Sequence, residues 1–137
     1  MSLFMLDTNT ASFAIKGHAA IDAKLQDLAP AAWCISAVTC AEMLYGLEKR
    51  PEAVTLRRLV HAFLDVARIV PWDHLAAAQH ARVRKQLKSV GTPIGDFDEM
   101  IAGHALSLGA TVVTDNERHF SRVAGLSMAN WAREGKA

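Results

Sequence analysis

The fold is decided near the start of the chain by Leu3-Phe4-Met5-Leu6-Asp7-Thr8-Asn9, four apolar residues followed by three polar ones. A short apolar run that stops at an acid predicts a buried strand. Asp, Thr and Asn directly after it are residue types that begin helices. We therefore predict a strand at Leu3–Leu6 that leads into a helix at Thr10–Lys16.

The rest of the chain repeats this alternation of short apolar runs and amphipathic segments. Such a pattern predicts a mostly parallel sheet with helices on both faces. We expect an α/β fold, a three-layer sandwich with a central, mostly parallel β-sheet flanked by helices. Further strands are predicted at Trp33–Ile35, Arg68–Pro71 and Ala110–Thr114, and helices at Ala20–Leu28, after Ser36 (stripe Val38, Ala41, Leu44, Tyr45, Leu47), from Pro51, from Asp73 to about Val90, and through the core stripe Phe97, Ile101, Ala105 and Leu108.

The composition is that of one folded domain spanning residues 1–137. Hydrophobic residues make up 51% of the chain and charged residues 21%, a balance that excludes a disordered protein. No window approaches the roughly 20 apolar residues of a membrane helix, and Asp7 interrupts the N-terminus before a signal-like run develops. We expect a cytoplasmic protein that does not bind membranes, with Cys34 and Cys40 as buried, reduced thiols.

The net charge bears on nucleic-acid binding. Fifteen Lys and Arg against 14 Asp and Glu give +1, which is less basic than most nucleic-acid-binding domains. This argues mildly against passive binding, but not against an enzyme in which metal ions and a local basic patch supply the positive field. The polar side of the predicted long helix carries Arg82, Arg84, Lys85 and Lys88. It is either a solvated helix face or a surface that contacts phosphates.

Acidic and amide side chains recur at the carboxyl ends of the predicted strands, where parallel sheets bind ligands. Asp7 follows the first strand, and Glu42 lies in the first turns of the helix after the second strand. Asp98 lies in the first turn of a later helix, and Asp115 and Asn116 follow the last clear strand. Side chains from four separate segments are therefore expected to face one cleft.

Carboxylates gathered in one cleft repel one another and raise one another's pKa. A divalent cation removes that penalty, and oxygen ligands without nearby His or Cys suit Mg²⁺ or Mn²⁺ rather than zinc. Such an ion orients a phosphodiester, lowers the pKa of a bound water and neutralises developing charge. The residues therefore predict a metal site for phosphodiester hydrolysis.

Two of these acids also have a simpler structural interpretation. Asp7 is in the position to cap the helix at Thr10–Lys16. Glu42 by itself is the kind of acid that a solvated helix face carries. Thr39 and Gly46 share its face while the apolar stripe runs elsewhere, which favours a functional role.

The acids around residue 98 need to be separated from one another. Asp96 and Glu99 have the spacing of a capping box, so Asp96 is interpreted as a structural cap. Asp98 has no such local role and is the better ligand. Asp115 and Asn116 are compatible with an ordinary polar turn, and His104 is interpreted as a buried, hydrogen-bonded histidine.

Four segments in this order resemble the motifs of PIN-domain nucleases. They are Leu6-Asp7-Thr8-Asn9, the run 36–46 (Ser-Ala-Val-Thr-Cys-Ala-Glu-Met-Leu-Tyr-Gly), Thr92-Pro93-Ile94-Gly95-Asp96-Phe97-Asp98, and the run 113–120 (Val-Thr-Asp-Asn-Glu-Arg-His-Phe). The resemblance extends from residue 3 to about residue 131. The short length, the turn at 92–95 and the run 101–105 (Ile-Ala-Gly-His-Ala) are similar to the VapC toxins within that family.

The resemblance implies a PIN-like sandwich and roles for individual residues. It assigns Asp7 and Asp98 to Mg²⁺ binding, with Glu42 completing the acidic core and Mn²⁺ as a substitute ion. The family's fourth acidic position falls on Asn116, where this sequence departs from the pattern. Asp115 then takes over the catalytic role, or Asn116 holds a metal-bound water. Substrate binding is assigned to Asn9, Asn116, Arg82 and Lys85.

The resemblance also implies partners. VapC toxins cleave RNA, and several related ones cut initiator tRNA in the anticodon loop. A cognate VapB-type antitoxin covers the active site, often with a basic residue placed among the acids. DNA is contacted only indirectly, through the antitoxin, and a homodimer within a hetero-oligomer is the expected assembly.

The predicted reaction is metal-assisted hydrolysis by a Mg²⁺-dependent endoribonuclease toxin. Water attacks phosphorus in line and leaves 5′-phosphate and 3′-hydroxyl ends, while Asp115 with Asn116 supports a second ion or the water. One alternative is a phosphatase that uses Asp7 as a covalent nucleophile. It would want a second acid where Asn9 stands and a lysine before Lys136. The other alternative is a catalytically silent PIN scaffold that binds RNA or protein.

Overall fold

A computed structural model describes residues 2–134, and its centre is a five-stranded sheet. All neighbouring strands run parallel, in the order β3-β2-β1-β4-β5. The prediction of a mostly parallel sheet is confirmed, and the strand that ends near Pro71 lies at an edge. The strands are β1 (Phe4–Leu6), β2 (Trp33–Ser36), β3 (Ile69–Val70), β4 (Thr111–Val113) and β5 (Ser127–Ala129).

Helices connect the strands and cover both faces of the sheet. Met5 of β1 packs in one core cluster with residues of the fifth and sixth helices, whereas Leu6 packs in another with the second and last helices. Successive residues of a strand point to opposite faces, so this division confirms the three-layer sandwich. The helices are α1 (Thr8–Ile15), α2 (Ala19–Asp27), α3 (Ala37–Glu48), α4 (Val54–Val66), α5 (His74–Ser89), α6 (Asp96–Leu108), α7 (Glu117–Phe120) and α8 (Trp131–Glu134), with a 3₁₀ turn at Pro30–Ala32.

Helices α5 and α6, which follow one another between β3 and β4, pack against each other at very close range. Gly103 of α6 lies so near α5 that a Cβ atom there would come within 2.6 Å of the His80 Cα atom. No side chain larger than hydrogen fits at that distance. Asp73 caps α5 as predicted, by accepting from the backbone N–H groups of Leu75 and Ala76.

The second predicted cap, Ser36, is also confirmed, and it serves two purposes. Its hydroxyl oxygen accepts from the Val38 N–H at 3.0 Å and lies 2.8 Å from Nδ1 of His104. His104 is therefore the buried, hydrogen-bonded histidine that was expected. Cys34 is buried as predicted and Cys40 is only half-buried, and both are free thiols.

Three sequence predictions about helices were wrong. Helix α4 begins at Val54 rather than Pro51, because Pro51 and the next residue form a turn. In α3 the buried side is Val38, Met43 and Leu47, while Ala41, Leu44 and Tyr45 are exposed. In α6 the core residues Ile101 and Ala105 were predicted correctly, but Phe97 and Leu108 at the two ends of the stripe are exposed.

The capping box at the start of α6 was also wrong. The N-cap residue is Gly95, with φ of +100°, and the helix has no side-chain cap. A positive φ is readily adopted only by glycine, so Asp96 becomes the first helical residue instead of the cap. Glu99, the other half of the predicted box, is buried against α5.

The ends of the chain, Met1 and residues 135–137, lie outside the described residues, and with them the Lys136 of the sequence argument. The single domain over residues 1–137 therefore stays a prediction. Between residues 2 and 134, no helix is long and apolar enough to cross a membrane.

Candidate active site

Asp7 stands at the carboxyl end of the central strand β1 and is only 2% exposed. Its Oδ1 atom accepts a hydrogen bond from the Thr10 N–H at 2.8 Å, so it does cap α1. Burial raises the pKa of Asp7, an effect that hydrogen bonds from Thr114 and Thr10 oppose and the charge of Asp115 reinforces. The Asp7 carboxylate therefore both caps α1 and belongs to the candidate site.

Glu42 is presented to the same edge of the sheet by α3. The Thr8 hydroxyl donates to Glu42 Oε1 at 2.6 Å, and the same Thr8 oxygen lies 3.3 Å from the Thr39 hydroxyl. Thr39 is fully buried. The carboxylate is therefore oriented by a hydroxyl from the residue directly after Asp7, which ties α3 to α1.

Asp98 comes from a third direction, in the first turn of α6. Its pKa is raised to about 6, first by burial and then by the negative charges of Asp7 and Glu42. Like charges close to a carboxylate disfavour its ionised form. The structure thus brings the three predicted acids Asp7, Glu42 and Asp98 into one electrostatic cluster.

Between residues 2 and 134, no lysine or arginine neutralises this cluster. In the described part of the chain no Lys or Arg forms an ion pair with any of the three acids, and the nearest cation-forming group is His119, whose Nδ1 lies 4.0 Å from Asp98 Oδ2. No three His, Cys, Asp or Glu side chains between residues 2 and 134 already converge as a preformed metal cage. The donor set is all oxygen, partly buried and uncompensated, which is the chemistry that a hard divalent ion fits.

The fourth corner of the site, formed by Asp115 and Asn116, makes different contacts from the three acids Asp7, Glu42 and Asp98. Asp115 is exposed, and its Oδ1 accepts from the Asn130 amide at 2.9 Å. The same amide donates to Glu117 Oε2 at 3.1 Å. The Asn116 amide instead pairs with His119 Nδ1 at 2.8 Å. The charge of Asp115 raises the pKa of Asp7. Asn116 contacts His119, which lies beside Asp98.

The predicted substrate-binding residues are more scattered. Asn9 is exposed in the first turn of α1, close in sequence to Asp7. Arg82 and Lys85 are exposed on α5, and neither pairs with an acid of the site among the described residues. Their neighbour Arg84 pairs with Glu99 and Asp96 rather than facing solvent freely.

Sequence reasoning missed several polar residues that support the acids. Thr8 and Thr114 bond to Glu42 and Asp7, and both directly adjoin a predicted acid or strand end, which was a usable signal. His119 has no partner at a telling sequence spacing, yet its Nδ1 atom lies 4.0 Å from Asp98 Oδ2. Asn130 gave no signal, because its contact with Asp115 depends on β5 pairing with β4.

Comparisons with known proteins agree with this arrangement. The PIN domain family model matches residues 4–126. The tRNA(fMet)-specific endonuclease VapC of Shigella flexneri is 39% identical over 132 residues, covering 96% of this chain and 100% of that protein. The tRNA(fMet)-specific endonuclease VapC of Salmonella typhimurium is 38% identical over 131 residues, covering 96% and 99%.

Solved structures give the same answer. The DNA-bound VapBC complex of Salmonella typhimurium contains a chain with a TM-score of 0.89 and 39% identity, covering 96% of this chain and 99% of that one. VapBC2 of Rickettsia felis, bound to a promoter DNA fragment, gives 0.88 and 30%, covering 94% and 98%. The chain therefore belongs to the PIN-domain family and, within it, to the VapC endoribonuclease toxins.

Proposed function

We propose that Asp7, Glu42 and Asp98 hold a Mg²⁺ ion and that the chain uses it to hydrolyse initiator tRNA within the anticodon loop. The observation that carries the metal site is the raised pKa of Asp98, caused in part by the charges of Asp7 and Glu42. Three carboxylates left uncompensated by the fold are stabilised when a divalent cation binds between them. Mn²⁺, which prefers the same ligands, substitutes for it.

The bound ion supplies charge neutralisation at the phosphate and a water of lowered pKa. The chain's own residues prepare the site. Asp98 must lose its proton before it becomes a ligand, and Thr8 holds Glu42 by donating to Oε1. Asp115 and Asn116 orient the attacking water from the fourth corner. In-line attack leaves 5′-phosphate and 3′-hydroxyl ends.

The choice of substrate rests on the two relatives named as tRNA(fMet)-specific endonucleases, which align over nearly the whole chain. Asn9 and Asn116 contact the cleaved strand beside the acids. Arg82 and Lys85, which are exposed on α5, contact phosphates of the flanking stem.

The partner is a VapB-type antitoxin, as in the VapBC complexes that this chain resembles. Because the acids are uncompensated, a basic side chain of such a protein would bind favourably in the cleft, where it would replace the metal. Promoter DNA is then contacted through the antitoxin, by a toxin homodimer held within the larger complex. The chain acts in the cytoplasm, where tRNA is available.

The test is cleavage of purified initiator tRNA by the full chain with Mg²⁺, Mn²⁺ or EDTA. We expect Asp7→Asn to lower the cleavage rate at least about 100-fold, because the amide removes one ligand charge. Asp96→Asn is the matched control, since Asp96 is an exposed acid two residues from Asp98 that has no place in the cluster, and it should cleave within a few-fold of the wild type.

Undiminished, Mg²⁺-dependent cleavage by Asp7→Asn would show that the site is assigned wrongly. Equal cleavage of initiator and elongator tRNAs would refute the substrate but leave the metal site standing. A phosphoaspartate trapped on Asp7 would point instead to the covalent phosphatase.

A further inference from the structure

We propose that Tyr45 and Phe97 form a stacking surface for one unpaired base of the RNA substrate, beside the carboxylates. The inference rests on the proposed nuclease function and names how the same site grips its substrate. The two rings belong to α3 and α6, the helices that also deliver Glu42 and Asp98. Each aromatic side chain therefore lies close in sequence to one predicted metal ligand.

The two rings line one open cleft together with Glu42, one of the three acids of the candidate site. The cleft has a volume of about 550 Å³, within the range of ligand-binding pockets. Thr8 and Glu42 belong both to this cleft and to the acid cluster, so a nucleotide bound to the rings adjoins the reaction centre. The cleft is lined by Thr8, Ala41, Glu42, Tyr45, Lys49 and Phe97.

The exposure of both rings is not explained by the packing of the fold. Tyr45 is 63% exposed and Phe97 is 54% exposed, although their apolar patterns predicted that both would lie in the core. A single exposed apolar residue is ordinary in a globular protein. Two large aromatic rings that open onto the same cleft as uncompensated carboxylates form a surface that a flat, partly polar ligand would cover.

Positive charge lies next to the rings. The ammonium of Lys49, the C-cap residue of α3, is 4.9 Å from the centre of the Tyr45 ring. Glu42, Tyr45 and Lys49 are spaced three and four residues apart and so share one face of the helix. A second hollow of about 260 Å³ shares Thr8, Glu42 and Lys49 with the cleft and adds Lys16 and Arg50 to its lining.

This spatial arrangement of carboxylates, aromatic rings and cations is complementary to single-stranded nucleic acid. Proteins bind unpaired nucleotides by stacking bases on aromatic side chains and placing Lys or Arg along the phosphates. A docking helix would need a longer apolar stripe. Of the six residues that line the cleft, only the two aromatic ones are large and apolar. The geometry therefore favours a base over a protein segment.

The test measures RNA affinity in the Asp7→Asn background with EDTA present, so that no cleavage intervenes. The probe is a fluorescent RNA stem–loop with the sequence of the initiator anticodon arm. We expect Tyr45→Ala and Phe97→Ala each to weaken binding roughly 5- to 100-fold, as the loss of one stacking contact does. Leu44→Ala, the matched control on α3, changes an exposed apolar residue that does not line the cleft, and it should bind within twofold.

Two further measurements separate stacking from a structural role. Tyr45→Trp should retain affinity, and its added fluorescence should be quenched when the stem–loop binds but not when the duplex stem alone is added. In a second experiment, each loop nucleotide is made abasic in turn. At one position this change should weaken binding to the parent, and the same change should not weaken binding to Tyr45→Ala any further. Thermal unfolding of each variant shows whether it is folded.

Binding of both alanine variants within twofold of the parent overturns the stacking surface. A change in oligomeric state with unchanged RNA affinity also overturns it, and assigns the rings to a protein contact. If the wild type still cleaves RNA in an Asp7-dependent way in either case, the proposed function stands. If the wild type neither binds nor cleaves RNA, both proposals fall.

Discussion

Asp98 and Glu99 are consecutive residues in the first turn of α6, and the structure surrounds their charges in opposite ways. The Glu99 side chain is only 4% exposed, with Arg84 Nη1 at 3.5 Å and His80 Nε2 at 3.4 Å from its Oε1 atom. The Asp98 side chain is 29% exposed, and its pKa is raised first by burial and then by the negative charges of Asp7 and Glu42.

This contrast distinguishes a structural acid from a functional one. A buried carboxylate that the fold itself compensates holds two helices together and needs nothing else. A half-buried carboxylate placed against like charges costs stability, and that cost is recovered only when something from outside binds. Glu99 belongs to the first class, and Asp98 belongs to the second.

Exchanging each acid for its amide should separate the two most clearly. Asp98→Asn should lower kcat for RNA cleavage at least about 100-fold, because it removes a charged metal ligand, while the free energy of unfolding stays equal or rises. Glu99→Gln should keep kcat within about threefold and lower the free energy of unfolding by about 1 kcal/mol. Single-turnover cleavage and urea denaturation measure the two quantities. An equally large loss of kcat in Glu99→Gln would erase the distinction.

The next largest effect should come from removing the cation that serves Glu99. Arg84→Ala leaves a buried carboxylate without its guanidinium partner, and since the Arg84 side chain is 43% exposed we expect a loss of about 1–3 kcal/mol in the free energy of unfolding. The matched control, Lys85→Ala, changes the next and exposed residue, and should stay within about 0.5 kcal/mol. Adding Glu99→Gln to Arg84→Ala should recover part of the loss. A double variant no more stable than Arg84→Ala would contradict the pairing.

The smallest effect is the share of the pH dependence of stability that Asp98 contributes. In the metal-free chain its pKa is about 6, against 3.8 for an ordinary aspartate. Between these values the folded state binds more protons than the unfolded state, so the free energy of unfolding falls as pH rises. We expect Asp98→Asn to reduce this fall by about 1–2 kcal/mol after solvent screening. Parallel stability curves of wild type and variant in EDTA, from about pH 4 to 7, would refute the coupling.

The positions of the strands β1 to β4 and the three central acids could be predicted because the necessary information is local. A short apolar run followed by Asp7 identifies both a strand end and a helix cap, and the structure contains both. The position of Glu42 after a capped helix start and that of Asp98 after a glycine turn are readable in the same way. Parallel pairing then brings these local features to one edge.

What could not be predicted depends on contacts between distant segments. Glu99 looked like half of a capping box, but its partners come from residues 15 and 19 positions earlier, across the contact between α5 and α6. Phe97 has the spacing of a core residue, yet α6 reaches the core only one turn later. The contacts of Asp115 could not be predicted for the same reason, since its partner Asn130 directly follows β5.

The close approach of Gly103 to His80 affects which substitutions inactivate the toxin, as well as how the two helices pack. Because no side chain fits between the two backbones, a single substitution at residue 103 would push α6 away from α5 and carry Asp98 with it. Substitutions that rescue a cell expressing this toxin should therefore occur at more positions than those of the carboxylates. Among surviving colonies, the inactivating changes should cluster along the seam between the two helices as well as in the cleft.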